Sequence, residues 1–197
     1  MVLKYFQRVG QDLFLSSLNN SHSGNLSVRL GDRVVITRRG SMLAQLETQH
    51  LIETGLYKND SNTALASREL EIHRAIYKGN NALAIVHAHP VYATALSLIE
   101  DEIIPVDAEG EYLLQKIPVL SVEHTIGCQE VVAKLPELLK EYKIVMVRGH
   151  GSFAVGQLLE EAYQWTSSLE NICKIIYLTR TLKGELKDNK SAKYNQW

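Results

Sequence analysis

Asn25-Leu-Ser-Val-Arg-Leu-Gly-Asp-Arg-Val-Val-Ile-Thr37 reads as two β-rich runs on either side of Gly31-Asp32. Gly-Asp between such runs suits a tight hairpin, although it is a weaker signal than Asp-Gly. A hairpin sets two strands antiparallel, which argues against a purely parallel, doubly wound sheet. Upstream, Leu3, Phe6, Val9, Leu13 and Leu18 recur at helical spacing and predict an amphipathic helix over 2–18, stopped by the polar cluster at 19–24. Downstream, 51–57 reads as a third strand.

Beyond it, Ser67 offers an N-cap to a helix that carries Leu70, His73, Ile76 and Tyr77 on one face and ends near Gly79. The segment 82–88 is short, apolar and β-compatible. Pro90 opens a helix over 91–99, because its missing N–H costs nothing in a first turn. Short strands near 103–106 and 118–122 precede a helix over 129–142. The run 144–147 is a fully apolar strand, with 152–155 beside it, and 158–181 is a long helix. Helices and strands alternate irregularly, so the expected fold is α/β, a sheet with helices on its faces. No Gly-x-Gly-x-x-Gly follows a strand, and Gly149-His-Gly-Ser-Phe-Ala-Val-Gly156 lacks the Lys-Ser/Thr of a phosphate-binding loop.

The 197 residues, 45% hydrophobic and 22% charged, suit one soluble domain over 1–197, with a polar tail at 184–197 expected to fray. Twenty-one basic residues against 22 acidic ones give a net charge of -1. That balance argues against a nucleic-acid partner and provides no polybasic membrane anchor. No stretch approaches the roughly 18 apolar residues of a membrane helix. Met1-Val-Leu-Lys-Tyr-Phe-Gln-Arg8 lacks the apolar core and cleavage site of a signal peptide, and Cys128 and Cys173 form no paired motif. A cytoplasmic protein with reduced thiols is the expectation.

The strongest chemical signal is His87-Ala88-His89-Pro90 at the end of an apolar strand. Side chains at i and i+2 of a strand share a face, so two imidazoles can reach one metal ion without bending the backbone. A surface pair is the plain alternative. His150, flanked by Gly149 and Gly151 at another strand end, has room for close approach and supplies a third ligand. Three neutral histidines leave a divalent ion its full charge and an open position, the arrangement of a catalytic centre. Glu69 is a candidate base, as is Glu71 two residues on, and spacing alone does not choose between them. His73 reads as packed or supporting; His22, His50 and His124 read as structural or surface.

These segments together resemble the class II aldolase/adducin family over about residues 3–183. Gly24-Asn25-Leu26-Ser27 is similar to its Gly-Asn-x-Ser segment, and Ile36-Thr37-Arg38-Arg39-Gly40 to its strand-end turn. Ser67-Arg68-Glu69 with His73 resembles Ser-Ser-Glu-x-x-x-His, and His87-Ala88-His89 and Gly149-His150-Gly151 resemble its two metal-binding segments. The resemblance implies a single three-layer α/β/α domain with a largely antiparallel central sheet, and a homotetramer with active sites between subunits. It implies one zinc ion per subunit, held by His87, His89 and His150, with another divalent metal as the variant. It also implies that Glu69 moves the proton and that a tyrosine acts as acid from a neighbouring subunit; Tyr112 is the nearest candidate.

The resemblance places phosphate at Gly24, Asn25, Gly40 and Ser67, with Arg39 and Arg68 standing where the family has small hydroxyl residues. Guanidinium forks bind phosphate bidentately, so an anion site is expected to survive. The implied activity is that of a carbon–carbon lyase acting on a sugar phosphate: reversible cleavage of a fuculose-like ketose 1-phosphate to dihydroxyacetone phosphate and an aldehyde. The alternatives are a methylthioribulose-1-phosphate dehydratase or related lyase and, from another class, an adducin-like binding module without catalysis.

Overall fold

A computed structural model describes residues 2–123 and 129–182. In chain order the elements are α1 (Val2–Leu15), β1 (Asn25–Leu30), β2 (Arg33–Thr37), β3 (Leu51–Gly55), α2 (Leu70–Gly79), β4 (Ala84–Ala88), α3 (Val91–Ser97), β5 (Glu102–Ile103), α4 (Ala108–Leu113), β6 (Ile117–Leu120), α5 (Gln129–Leu138), β7 (Ile144–Val147), β8 (Gly151–Gly156) and α6 (Leu159–Thr181). The hairpin at Gly31-Asp32 forms as read, with Leu30 opposite Arg33 and Ser27 opposite Ile36.

The strands make one sheet in the order β3-β2-β1-β4-β8-β7-β6-β5. Every neighbouring pair is antiparallel except β6–β7, so the sheet is mixed, largely but not purely antiparallel. The parallel pair needs a crossover, and α5 lies in it. Strand alternation divides the core in two. Ala84, Val86 and Ala88 of β4 face a cluster with Phe6, Leu13, Leu96 and Leu169, from α1, α3 and α6. Ile85 turns the other way, to a cluster with Ile72, Ile76, Val131 and Leu135 from α2 and α5. Each of these fully buried Leu or Ile side chains contributes about 1.5–3 kcal/mol. The result is the expected α/β/α layering.

The differences from the sequence reading have local causes. Helix α2 starts at Leu70 rather than after Ser67. The Ser67 hydroxyl accepts from the Glu69 N–H (3.3 Å) and its carbonyl from the Leu70 N–H (3.1 Å), making a turn ahead of the helix. The N-cap position therefore belongs to Glu69. Strand β3 ends at Gly55, not at Tyr57, because the Arg74 guanidinium takes the Gly55 carbonyl at 2.9 and 2.6 Å. Helix α5 ends at Leu138, short of Tyr142, with Pro136 in its last turn. The six-residue α4 was not foreseen; Asp107 caps it by accepting from the Gly110 N–H at 2.9 Å.

Cys173 is buried and unpaired by any disulfide, and burial with Glu170 nearby pushes its thiol pKa up. His124, Cys128 and the tail at 184–197 lie outside the described residues. No helix among the described residues is long and apolar enough to cross a membrane.

Candidate active site

Three strands and two turns bring the histidines together. His87 is the penultimate residue of β4, between two neighbours, directly opposite Asn25 of β1 and Phe153 of β8. The Phe153 ring stacks on the His87 imidazole, centroids 4.1 Å apart at 19°. His89 follows two residues later. Its N–H is held by the Asn19 Oδ1 and the Leu18 carbonyl, both at 2.9 Å. The start of α3 just beyond is capped from a distance: Glu170 of α6 accepts from the Tyr92 and Ala93 N–H groups at 3.0 and 2.9 Å.

His150 sits in the turn from β7 to β8, its N–H on the Val147 carbonyl at 3.0 Å. The neighbouring Gly151 has no room for a side chain. A Cβ there would lie 2.4 Å from the Ala88 carbonyl oxygen and 3.0 Å from the His89 ring.

The three rings form a near-equilateral triangle, with centroids 4.8, 4.9 and 5.0 Å apart. Their ligand nitrogens all lie within 4.8 Å of one another. His87 donates its Nδ1 proton to the Ser152 carbonyl (2.9 Å), which leaves the Nε2 lone pair facing His89 Nε2 at 2.9 Å and Glu69 Oε2 at 3.1 Å. Burial, reinforced by the neighbouring histidines, pushes both His87 and His89 down to about 3, so both are neutral near pH 7. The His87 lone pair, two further imidazoles and a carboxylate converging on one point make a donor set that fits a divalent metal.

Glu69 is 5% exposed and stands beside the triangle. Its Oε2 accepts from Asn25 Nδ2 at 2.8 Å, while Oε1 is buried without a hydrogen-bond partner among the described residues, 3.6 Å from His150 Nε2. Glu71 points away to Arg74 at 2.7 Å, with a side chain 59% exposed. Of the two carboxylates, only Glu69 faces the histidines. One helical turn beyond it, His73 is fully buried, and burial pushes its pKa to about 3.

A cleft of about 510 Å³ opens over this centre. Gly24, Asn25, Gly40 and Ser67 line it, and so do Arg39 and Arg68. Gly24 has a φ of +74°, and a Cβ on it would meet the His87 carbonyl oxygen at 2.6 Å, so the loop needs glycine. Arg38, His22, Ser23 and Ser41 also line the cleft and were missed. Strand alternation would send Arg38 and Arg39 to opposite sides. The turn that returns Ser41 to the Arg38 carbonyl (N–H 3.2 Å, hydroxyl 2.8 Å) puts both on the cleft. Arg38, Arg39 and Arg68 are exposed, and their guanidinium groups have no hydrogen bond or ion pair among the described residues.

His22, read as structural or surface, is exposed at this cleft and bonded to the Ser21 hydroxyl. His50 closes a small capping turn, accepting the Glu47 N–H at 3.0 Å. Tyr112 is half exposed on α4 and does not line the cleft of its own chain.

Known proteins carry the same architecture. The solved L-fuculose-1-phosphate aldolase of Thermus thermophilus superposes with a TM-score of 0.88 at 34% identity, covering 95% of this chain and 98% of that one. An L-fuculose phosphate aldolase of Methanococcus maripaludis is 30% identical over 161 residues, 81% of this chain and 87% of its own length. A 3-oxo-tetronate 4-phosphate decarboxylase of Pectobacterium atrosepticum is 29% identical over 178 residues, 87% of this chain and 81% of its own length. Residues 5–177 match the class II aldolase and adducin N-terminal domain as a unit. The histidine triangle thus belongs to a chain that is a member of the class II aldolase and adducin family.

Proposed function

We propose that the protein is a zinc-dependent class II aldolase that reversibly cleaves a ketose 1-phosphate to dihydroxyacetone phosphate and an aldehyde. The observation that carries this reading is the convergence of three imidazoles and the unpartnered oxygen of a buried carboxylate beneath a cleft rimmed by free guanidinium groups. His87, His89 and His150 would hold one zinc ion per subunit. Bound there, the metal supplies a Lewis acid that draws electrons from the substrate carbonyl.

The chain's own groups do the rest. Asn25 fixes one oxygen of Glu69, and the other is left to carry the proton to and from the carbon whose bond breaks. Gly24, Gly40, Ser67, Arg39 and Arg68 would orient the phosphate, with Arg38 adding a third positive group. Tyr112 would serve as acid only across a subunit boundary, since it lies away from its own cleft.

A cytoplasmic homotetramer with active sites between subunits completes the reading. Supporting it, a hollow of about 520 Å³ beside His89 is lined by Phe14, Leu15 and Val91, which are 44, 69 and 65% exposed. Apolar groups so exposed beside a polar centre suit burial by a second copy. A second activity has its own support: the decarboxylase relative is about as similar as the aldolase one. Release of carbon dioxide from a phosphorylated 3-oxo acid leaves an electron-rich carbon that would take up a proton delivered through Glu69.

Incubation of the zinc-loaded protein with a panel of ketose 1-phosphates and phosphorylated 3-oxo acids tests both. Two carbonyl fragments from a ketose phosphate support the aldolase. Carbon dioxide and one fragment replace it with the decarboxylase, and loss of water alone replaces it with a dehydratase. Turnover of none of them, with metal bound, overturns the enzyme reading in favour of a binding module. Glu69→Gln should keep zinc and lose turnover by at least ~10²–10⁴-fold.

A further inference from the structure

A seam of buried polar groups runs between β1 and α2. Alternate residues of the strand meet every fourth residue of the helix. Asn25 Nδ2 donates to Glu69 Oε2 at 2.8 Å; Ser27 Oγ lies 2.7 Å from both His73 Nδ1 and the Tyr77 hydroxyl; Arg29 donates to the Tyr77 carbonyl at 2.9 Å. The periods nearly match, because two strand residues advance about 6.7 Å and four helical residues about 6.0 Å. The rungs therefore fit without bending either element, and they hold α2 at one height and one rotation on β1.

An apolar core would fill this space at less cost. Ser27 and His73 are fully buried and Tyr77 is 1% exposed. The single Ser27 hydroxyl proton goes to one neighbour, and the other donates to Ser27. In either direction, His73 Nε2 stays buried with no partner among the described residues. Replacing a satisfied polar pair by apolar groups of similar shape is often neutral or stabilising, and here the set is not even fully satisfied. Its place in the fold supplies a reason to keep it. His73 lies one turn below Glu69, whose carbonyl accepts the His73 N–H at 3.1 Å. Its ring also meets the edge of Phe153 (6.0 Å, 70°), the ring on which His87 stacks.

We propose that His73, held by Ser27 and Tyr77, is a positioning residue that sets the rotation of α2 and thereby the place of the Glu69 carboxylate against the histidine triangle. This rests on the reading of Glu69 as the proton carrier. A displacement of about 1 Å at a reacting group costs up to roughly 10²-fold in rate. His73→Phe should therefore lower kcat ten- to a hundredfold, leave KM within twofold and leave the unfolding midpoint at or above that of the wild type at pH 7.5. Tyr77→Phe, which removes one hydroxyl, should act the same way more weakly and serves if His73→Phe does not fold.

A double-mutant cycle with Glu69→Gln decides between positioning and simple support. If His73 acts through Glu69, His73→Phe changes kcat little once the carboxylate is gone. An equal loss in both backgrounds, or a lowered midpoint with unchanged kcat, overturns the proposal. The same cycle read as zinc affinity by chelator competition needs no turnover. His73→Phe should weaken zinc at least threefold in the wild-type background and not at all in the Glu69→Gln background; equal weakening overturns the proposal. If the wild type turns over no substrate, the functional reading fails while this zinc cycle still judges the seam.

Discussion

The β2–β3 edge and the cleft end of the sheet are both crowded with charge, yet they treat it in opposite ways. At the edge, nearly every polar group is matched. Arg33 reaches Glu53 and Asp60 at 3.0 and 2.9 Å. Asp60 also accepts from Thr54 and from the Gly55 and Asn62 N–H groups, and the Thr54 hydroxyl, with Arg33, holds its carboxyl at about 2. Arg74, 3% exposed, spends its guanidinium on the Gly55 and Lys58 carbonyls, Asn59 and Glu71. At the cleft, Glu69 Oε1, Asn25 Oδ1 and His150 Nδ1 are buried without hydrogen-bond partners, and three arginines stand free, among the described residues. Buried polar groups are ordinarily satisfied. On the proposed reading, the unsatisfied cluster at the cleft awaits a ligand, whereas the matched charges at the edge serve the fold.

The largest expected effect falls at the cleft. His89→Ala should abolish zinc retention and turnover together while the folded structure persists, as read by metal analysis and circular dichroism. A variant that keeps a full equivalent of zinc would place the metal elsewhere. Arg74→Ala should do the reverse. It leaves the buried Gly55 carbonyl, the partly buried Lys58 carbonyl and the Asn59 amide oxygen unmatched, for about 3 kcal/mol of destabilisation in urea unfolding, with zinc content of the folded protein unchanged. Glu71, mostly exposed, adds little to that figure.

Arg68→Ser sharpens the contrast further. Removing a free surface arginine should move stability by no more than about 0.5 kcal/mol. Losing one charge-assisted phosphate contact should raise KM for phosphorylated substrates by about 10- to 150-fold, equivalent to about 1.5–3 kcal/mol. Unchanged KM for every such substrate would return Arg68 to the surface.

The smallest effect, taken per pH unit, concerns His73. The unfolded chain takes up a proton at His73 near pH 6.5, but the folded chain does so only near 3. Stability from this group is whole above about pH 6.5 and is lost as pH falls toward 3. Metal-free wild type should thus lose about 1.4 kcal/mol more per pH unit than His73→Phe between pH 6 and 4. Parallel pH profiles would show that His73 is charged in the fold.

How far the sequence could be read followed how local each cause was. The hairpin was legible because Gly31-Asp32 and its flanking runs carry their own turn chemistry, and β7 because Ile144–Val147 is apolar throughout. The histidine triangle was legible because the i, i+2 spacing and the glycines around His150 are written in the chain. The start of α2 was misread because a serine ahead of a helix can close a turn as well as cap. The end of β3 depended on an arginine 19 residues away in sequence. The parallel β6–β7 pair and the cleft-facing Arg38 depended on crossover and turn geometry that no short pattern encodes.

Glu170, the distant cap of α3, sets a timetable. The backbone of His89 is steadied by Asn19, seventy residues earlier, and the helix after it by a carboxylate seventy-seven residues later than Ala93. His150 reaches the triangle only once β8 has zipped onto β4. During synthesis, a nascent chain halted before residue 150 lacks the third imidazole of the triangle. On the reading of the triangle as a metal centre, the donor set is complete only in the finished fold, and an ion would be loaded after translation rather than serve as a template for folding.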